Sequence, residues 1–382
     1  MRVRNDKVGQ IHLLKTAKRF LKEHTVTAAA FAAAVITAFF VPPDAAYLDY
    51  FDLRTLTCLF LTLAVVCALR DIKFFTILAR RIVMLTGNLR ALTLVLVYIT
   101  FIGSMLIAND MALITFLPLG YFALCVTKNE KHMAYVFILQ NISANLGGML
   151  TPFGNPQNLY LYSYYRIPTG EFMRMMLPPF LLAVTMLTLG CFLLKPTPLS
   201  IAEEFPEKLD KRRTALYLLL FAFSLLIVFR TAPYWTGLVL IPAALLVLDR
   251  DALKSVDYPL LATFAFFFVF SGNMARIDAV DAFASALLAK SPLLVSELSC
   301  QCISNVPTAI LLSKFTENYR ALLLGVNIGG TGTLIASLAS LITFSEYRLL
   351  YPGHGKRYFL LFTLVNAVFF VVLTAAAYFF FL

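Results

Sequence analysis

The chain has 382 residues, 60% of them hydrophobic and only 14% charged, with a formal net charge of +11. Average soluble domains carry about 25% charge, so a water-soluble fold is excluded and lipid is the expected solvent. The excess of Lys and Arg falls in loops, with no basic stripe interleaved with aromatics, so nucleic acid is excluded as a partner. Trp occurs once, leaving Tyr to supply the interfacial belt.

Residues 1–24 hold Arg2, Arg4, Lys7, Lys15, Lys18, Arg19 and Lys22, a basic lead expected on the cytoplasmic side. Apolar runs follow at about 25–41, 53–69, 91–108, 111–126, 133–161, 172–194, 214–230, 235–249, 257–272, 292–315, 321–346 and 358–382. Several reach the roughly 20 residues that a crossing takes. Only Asn109-Asp110 separates 91–108 from 111–126, which predicts a re-entrant hairpin over 91–126. A second hairpin is expected over 292–315, with its tip near Asn305. Discontinuous helices are expected at 133–161 and 321–346, and amphipathic surface segments at about 70–90 and 273–290.

An N-terminus inside the cell puts 24 of the 32 basic residues on the inner face, in line with the positive-inside rule. That topology gives the two halves opposite orientations. The expected organisation is a basic segment 1–24, a first inverted repeat 25–194, a cytoplasmic linker 195–213, and a connecting helix with a second inverted repeat over 214–382. The fold class is an all-α polytopic membrane protein of two inverted repeats, each with a re-entrant helical hairpin and a discontinuous transmembrane helix.

Four polar interruptions carry the chemistry. The first is Asn109-Asp110, where a carboxylate inside a hydrocarbon run costs roughly 2.5–3.5 kcal/mol and so faces a wet cavity, or caps the helix that follows, or both. The second runs from Ser143 to Asn158 and includes Asn145, Gly147, Gly148, Thr151, Pro152, Gly154, Asn155 and Pro156. So many helix breakers at membrane depth imply a binding loop: its carbonyls can hold a cation and the resumed half-helix attracts an anion. Ser304, Asn305 and Thr308 form the third interruption, and Asn327, Gly329, Gly330, Thr331 and Thr333 the fourth. They repeat the order of a polar tip followed by Asn-x-Gly-Gly, with close helix packing through small residues as the competing explanation of each. A sodium ion could be held at Asn109, Asn145, Asn305 and Asn327.

These residues resemble the ion transporter superfamily, which includes arsenite permeases, sodium/proton antiporters, citrate transporters and divalent anion/sodium symporters. The resemblance rests on Ala79-Arg80-Arg81, Gly87-Asn88, Asn109-Asp110 with Pro118 beyond, and Asn145-Leu146-Gly147-Gly148 leading to Thr151-Pro152-Phe153-Gly154-Asn155-Pro156-Gln157-Asn158. It implies a homodimer with a mobile transport unit and a fixed scaffold (an elevator mechanism), with ion contacts at the hairpin tips and helix breaks. The tips depart from the Ser-Asn-Thr of the symporter branch. The acidic first tip is nearer the arsenite-permease and citrate-transporter-like branches.

The expected function is secondary active transport of a small ion, an anion such as a carboxylate, coupled to Na⁺ or H⁺ with no other cofactor. A Na⁺/H⁺ antiporter and an arsenite efflux permease are the alternatives. The expected location is a bacterial plasma membrane. An intramembrane enzyme is disfavoured: His12, His24, His132 and His354 all fall in expected inner loops, and Asp110 has no evident carboxylate partner. The six cysteines show no metal-ligand spacing and are expected to be small buried residues without disulfides.

Overall fold

The computed structural model describes residues 25–199 and 209–382. The basic segment 1–24 and part of the linker lie outside the described residues. All regular structure among the described residues is helical. Six helices are long and apolar enough to cross a membrane, or seven if one bent pair counts as a single span. The chain is thus a multi-pass integral membrane protein.

The first half runs α1 (Thr25–Phe40), α2 (Leu53–Asp71), α3 (Phe74–Val83), α4 (Leu89–Ile107), α5 (Asn109–Val126), α6 (Met133–Gly147), α7 (Pro156–Tyr164) and α8 (Thr169–Phe192). The second half runs α9 (Lys211–Val228), α10 (Tyr234–Leu248), α11 (Arg250–Lys254), α12 (Tyr258–Ala275), α13 (Asp278–Leu288), α14 (Pro292–Ile303), α15 (Asn305–Leu312), α16 (Tyr319–Gly329), α17 (Leu338–Leu350) and α18 (Gly355–Ala376). Short polar side chains set many of the helix starts. Asp52, Asn88, Asp257 and Asn318 accept backbone N–H bonds at 2.9–3.1 Å at the heads of α2, α4, α12 and α16.

One series of elements occurs twice: an amphipathic helix (α3, α13), a helix pair (α4–α5, α14–α15), a broken helix (α6–α7, α16–α17) and a final long helix (α8, α18). The joints of the two helix pairs match in backbone conformation. Ala108 has φ 65° and ψ 157°, and Ser304 has φ 74° and ψ 160°. A non-glycine residue rarely adopts such angles, so both joints are held against a local cost of order 1–3 kcal/mol. The next residue secures each joint: Asn109 Oδ1 accepts from Asp110 N at 3.0 Å, and Asn305 Oδ1 from Val306 N at 2.9 Å.

The half-helices α6 and α16 are the centre of the bundle. Nearly every residue of α6 from Val136 to Gly147, and of α16 from Ala321 to Gly329, is buried. A helix buried all round must satisfy its polar side chains within the protein. Gln140 does so at Nε2, which donates to Thr100 Oγ1 and Phe116 O, while its Oε1 is left without a partner. Gly147 lies where a side chain would strike Phe101 O and Ser104, and a side chain at Gly329 would press on Cys300. The periphery is apolar and exposed, with Leu181 and Leu189 on α8, Val239 and Val247 on α10, and Leu360, Leu364 and Val371 on α18. These faces meet lipid.

Candidate functional site

The four polar interruptions meet at one place. The Asn109 side-chain N–H donates to Asn145 Oδ1 at 3.1 Å, and the Ser337 hydroxyl donates to the same oxygen at 2.7 Å. Asn155 Nδ2 donates to Asn145 O at 3.2 Å and makes a long contact to Asn327 Oδ1 at 3.5 Å. Asn327 Nδ2 donates to Asn158 Oδ1 at 2.7 Å, and Asn158 Nδ2 reaches the carbonyls of Gly148, Met149 and Thr151. A connected set of buried amides therefore runs from the first joint through the first break to the second break.

Glycine makes the first break foldable. At Gly148 an added Cβ would fall on the Asn155 amide, and at Gly154 on Gly148 O. The two strands of the loop approach too closely for any side chain there. Thr151 Oγ1 ties the loop to Met105 O at 3.3 Å, and Ser143 Oγ donates to Gln140 O within α6. Pro152 is buried in the same loop.

Beside this network lies a cavity of about 460 Å³. Asn109, Asp110, Pro156 and Gln157 from the first half line it, together with Ser304, Asn305, Val306, Pro307, Ser337 and Leu338 from the second. Its far wall is largely apolar, formed by Val26, Ala29 and Ala33 of α1 and Phe267 and Phe270 of α12, with Thr25 and Thr263 beside them. Four helices begin at the cavity: α5 at Asn109, α7 at Pro156, α15 at Asn305 and α17 at Leu338. Each N-terminus carries about +0.5 elementary charge, so together they offset the single carboxylate of Asp110 roughly twofold. Among the described residues, no Lys, Arg or His lines the cavity.

Several polar atoms here lack a partner. Asp110 Oδ1, Asn155 Oδ1, Gln157 Oε1 and Asn145 Nδ2 are buried and make no hydrogen bond. Orphaned buried polar atoms cost about 1–3 kcal/mol each. The three oxygens can accept from a proton donor or hold a cation, and the N–H can donate to an anion. No group of three His, Cys, Asp or Glu able to hold a metal occurs among the described residues.

The expected site residues thus divide. Asn109, Asp110, Pro156, Ser304 and Asn305 face the cavity, while Asn145, Asn155, Asn158 and Asn327 form the network behind it. Thr308 supports the second joint by donating to Ser304 O at 2.7 Å. Gly330 passes against the Asn305 amide. Thr331 and Thr333 lie outside the cavity lining, at the outer turn of the second break, where Gln301 holds the backbone of both. Sequence reasoning stopped at Thr333 and missed Ser337. A serine just ahead of a resumed apolar helix was the available signal, since Ser337 Oγ caps α17 by accepting from Ala339 N at 3.2 Å. The run 257–272 was expected as an apolar segment but not as a cavity wall, since Phe267 and Phe270 look like any lipid-facing residues. The cysteines are all free, but Cys302 is exposed and opens onto the cavity instead of being buried.

The family described as "Citrate transporter" matches residues 14–319, or 306 of the 382 residues. The chain belongs to the citrate transporter family. Among similar proteins, Uncharacterized transporter MJ0456 of Methanocaldococcus jannaschii is 34% identical over 76% of this chain and 80% of its own length. Inner membrane protein YbiR of Escherichia coli is 29% identical over 70% of this chain and 73% of its own length. In this citrate transporter family member the matched stretch contains both joints and the first break. The second break lies beyond it.

Proposed function

We propose that the chain is a secondary active transporter of a small organic anion of the carboxylate class, coupled to H⁺ or Na⁺. The observation that carries this reading is the convergence of four helix N-termini on a cavity that, among the described residues, no basic side chain lines. Helix ends attract an anion without binding it as tightly as paired arginines would, which suits a site that must also release its cargo. Asp110 is the coupling group, because its unpartnered oxygen at the cavity accepts a proton or cation that arrives with the anion.

The twice-occurring series and the matched joints support two repeats, within 25–194 and 214–382, and the placement of the basic residues supports their opposite orientation with the N-terminus inside. The joined amide network supports movement of both hairpins and both broken helices as one unit against α1, α2 and α9–α12, in a homodimer. Such movement would expose the cavity alternately to the two sides of the membrane.

The test is uptake into proteoliposomes of radiolabelled citrate, other di- and tricarboxylates, sulfate, phosphate and arsenite, under separately imposed Na⁺ and H⁺ gradients. Saturable accumulation of a carboxylate under one gradient is the expected result. Cation exchange with no anion flux would replace this reading with a Na⁺/H⁺ antiporter, which the unpaired Asp110 oxygen also suits.

A further inference from the structure

A second carboxyl group is buried away from the cavity. Glu297 lies in α14, seven residues before the joint at Ser304, and its side chain is 1% exposed. Oε2 accepts from the Thr374 hydroxyl of α18 at 3.0 Å, while Oε1 is buried with no partner. α14 packs against α13, α15, α16 and the short turn Leu334–Ala336. The titratable and charged groups on these elements and on α18 are Asp278 and Asp281 (α13), Tyr319 and Arg320 (α16), and Lys356, Arg357 and Tyr358 (α18). α15 and the turn contribute none, and α14 itself adds Cys300 and Cys302. None of these pairs with the Glu297 carboxyl. Arg320 is spent on Phe381 O, and Tyr319 on Glu171. A carboxylate buried without a cation costs several kcal/mol, a cost that the neutral acid avoids.

The fold does not require an acid at this position. Phe101 stands at the same distance before the joint at Ala108, and it fills the corresponding place with an aromatic contact to Phe180 of α8 at 5.0 Å. Glu297 also touches elements that the proposed transport movement would carry. Its Cα is 3.0 Å from where a Gly329 side chain would begin, at the second break. One turn on, Gln301 Nε2 donates to Glu297 O and Gly329 O, and Gln301 Oε1 accepts from Thr333 N.

We propose that Glu297 is a proton-carrying site of the second hairpin, separate from the cavity, whose proton must be bound whenever α14, α16 and α18 are packed as they are here. The step is a single proton transfer between the carboxyl group and water, with no other bond made or broken. It goes beyond the cavity reading, which uses Asp110 alone.

The experiment is infrared spectroscopy of the purified full-length protein in liposomes at neutral pH, with the pH profile of citrate flux in the same preparation. A protonated-carboxyl C=O band is expected in the wild type, lost in Glu297→Gln and retained in Asp110→Asn. Thr374→Val should move that band to higher frequency by removing its hydrogen bond, which assigns it even if Glu297→Gln fails to fold. Where flux is measurable, Glu297→Gln should flatten its pH dependence and Thr374→Val should keep it. A spectrum unchanged by both variants overturns the proposal. So does loss of the band with an unaltered flux profile, since the proton would then be resident and not carried. Because the infrared arm needs no substrate, failure of citrate flux alone counts against the transport reading and not against this one.

Discussion

Ser337 donates to Asn145 Oδ1 at 2.7 Å, joining residues 192 positions apart and tying the second break to the first. The same oxygen accepts from Asn109 at the first joint, so one amide carbonyl holds three of the four interruptions together. Replacement of Ser337 by alanine removes that bond and the cap on α17. The expected cost is about 1–3 kcal/mol, seen as a lower apparent melting temperature in detergent. Ser337→Thr keeps a hydroxyl in both roles and should recover most of the loss. An alanine variant as stable as wild type would show that the bond contributes nothing.

Asp110→Asn is expected to abolish coupled flux while leaving the protein folded, as judged by an unaltered elution profile and melting temperature. The substitution keeps size and removes charge at the one carboxylate that lines the cavity among the described residues. Wild-type flux with unchanged ion and pH dependence would remove Asp110 from the coupling role.

The glycines of the first break divide into constrained and free positions. Gly148→Ala and Gly154→Ala drive a methyl into the Asn155 amide or the opposing backbone, and each should destabilise the protein by about 1–3 kcal/mol. Gly87→Ala and Gly170→Ala meet nothing within 4 Å and should leave the melting temperature unchanged. Equal behaviour of the two pairs would show that the break has room to relax.

Much of this arrangement was legible because polar groups in a hydrocarbon run are expensive and therefore informative. Asn109, Asp110, Asn145 and the breakers up to Asn158 announced themselves in this way, as did Asn305 and Asn327. Ser337 stood out less, because a lone serine is cheap and common in membrane proteins, and only its place just ahead of α17 marks it as a cap. Glu297 was not legible for a different reason: α14 is continuous through it, so no interruption marks the carboxylate. The joints were expected at the Asn residues and are found one residue earlier, at Ala108 and Ser304. Each Asn is free to turn its side chain onto the next N–H only because the preceding residue takes the positive φ. The wall of α12 was not legible at all, since Phe267 and Phe270 satisfy a lipid-facing pattern equally well.

Acid sensitivity has a defined local source. Arg276 Nη2 lies 2.6 Å from Asp44 Oδ2, and this guanidinium, which also takes a bond from Nη1 to Tyr50, holds the Asp44 carboxyl below its ordinary value. A depressed folded value means the pair's contribution is fully present above the unfolded carboxylate pKa of about 3.9 and fades as pH falls through the folded value. The pair is exposed and screened by salt, so the effect is small. Arg276→Gln should remove a salt-sensitive part of the acid limb in a melting-temperature profile and leave the neutral region unchanged. An unchanged acid limb would show that the pair does not contribute.

Cys302 gives a direct reading of the cavity. It is exposed and lines the cavity beside Ser304, whereas Cys300, two residues earlier, is buried against Gly329. In a Cys125→Ser background, which removes the other partly accessible thiol, a membrane-permeant maleimide should modify Cys302 and spare Cys300. A transported anion seated on the four helix N-termini would stand over Cys302 and slow labelling several-fold, and citrate is the first anion to try. Protection that follows the same concentration dependence as flux would place the cargo between the two joints. Labelling indifferent to every anion that is transported would move the binding site elsewhere in the protein.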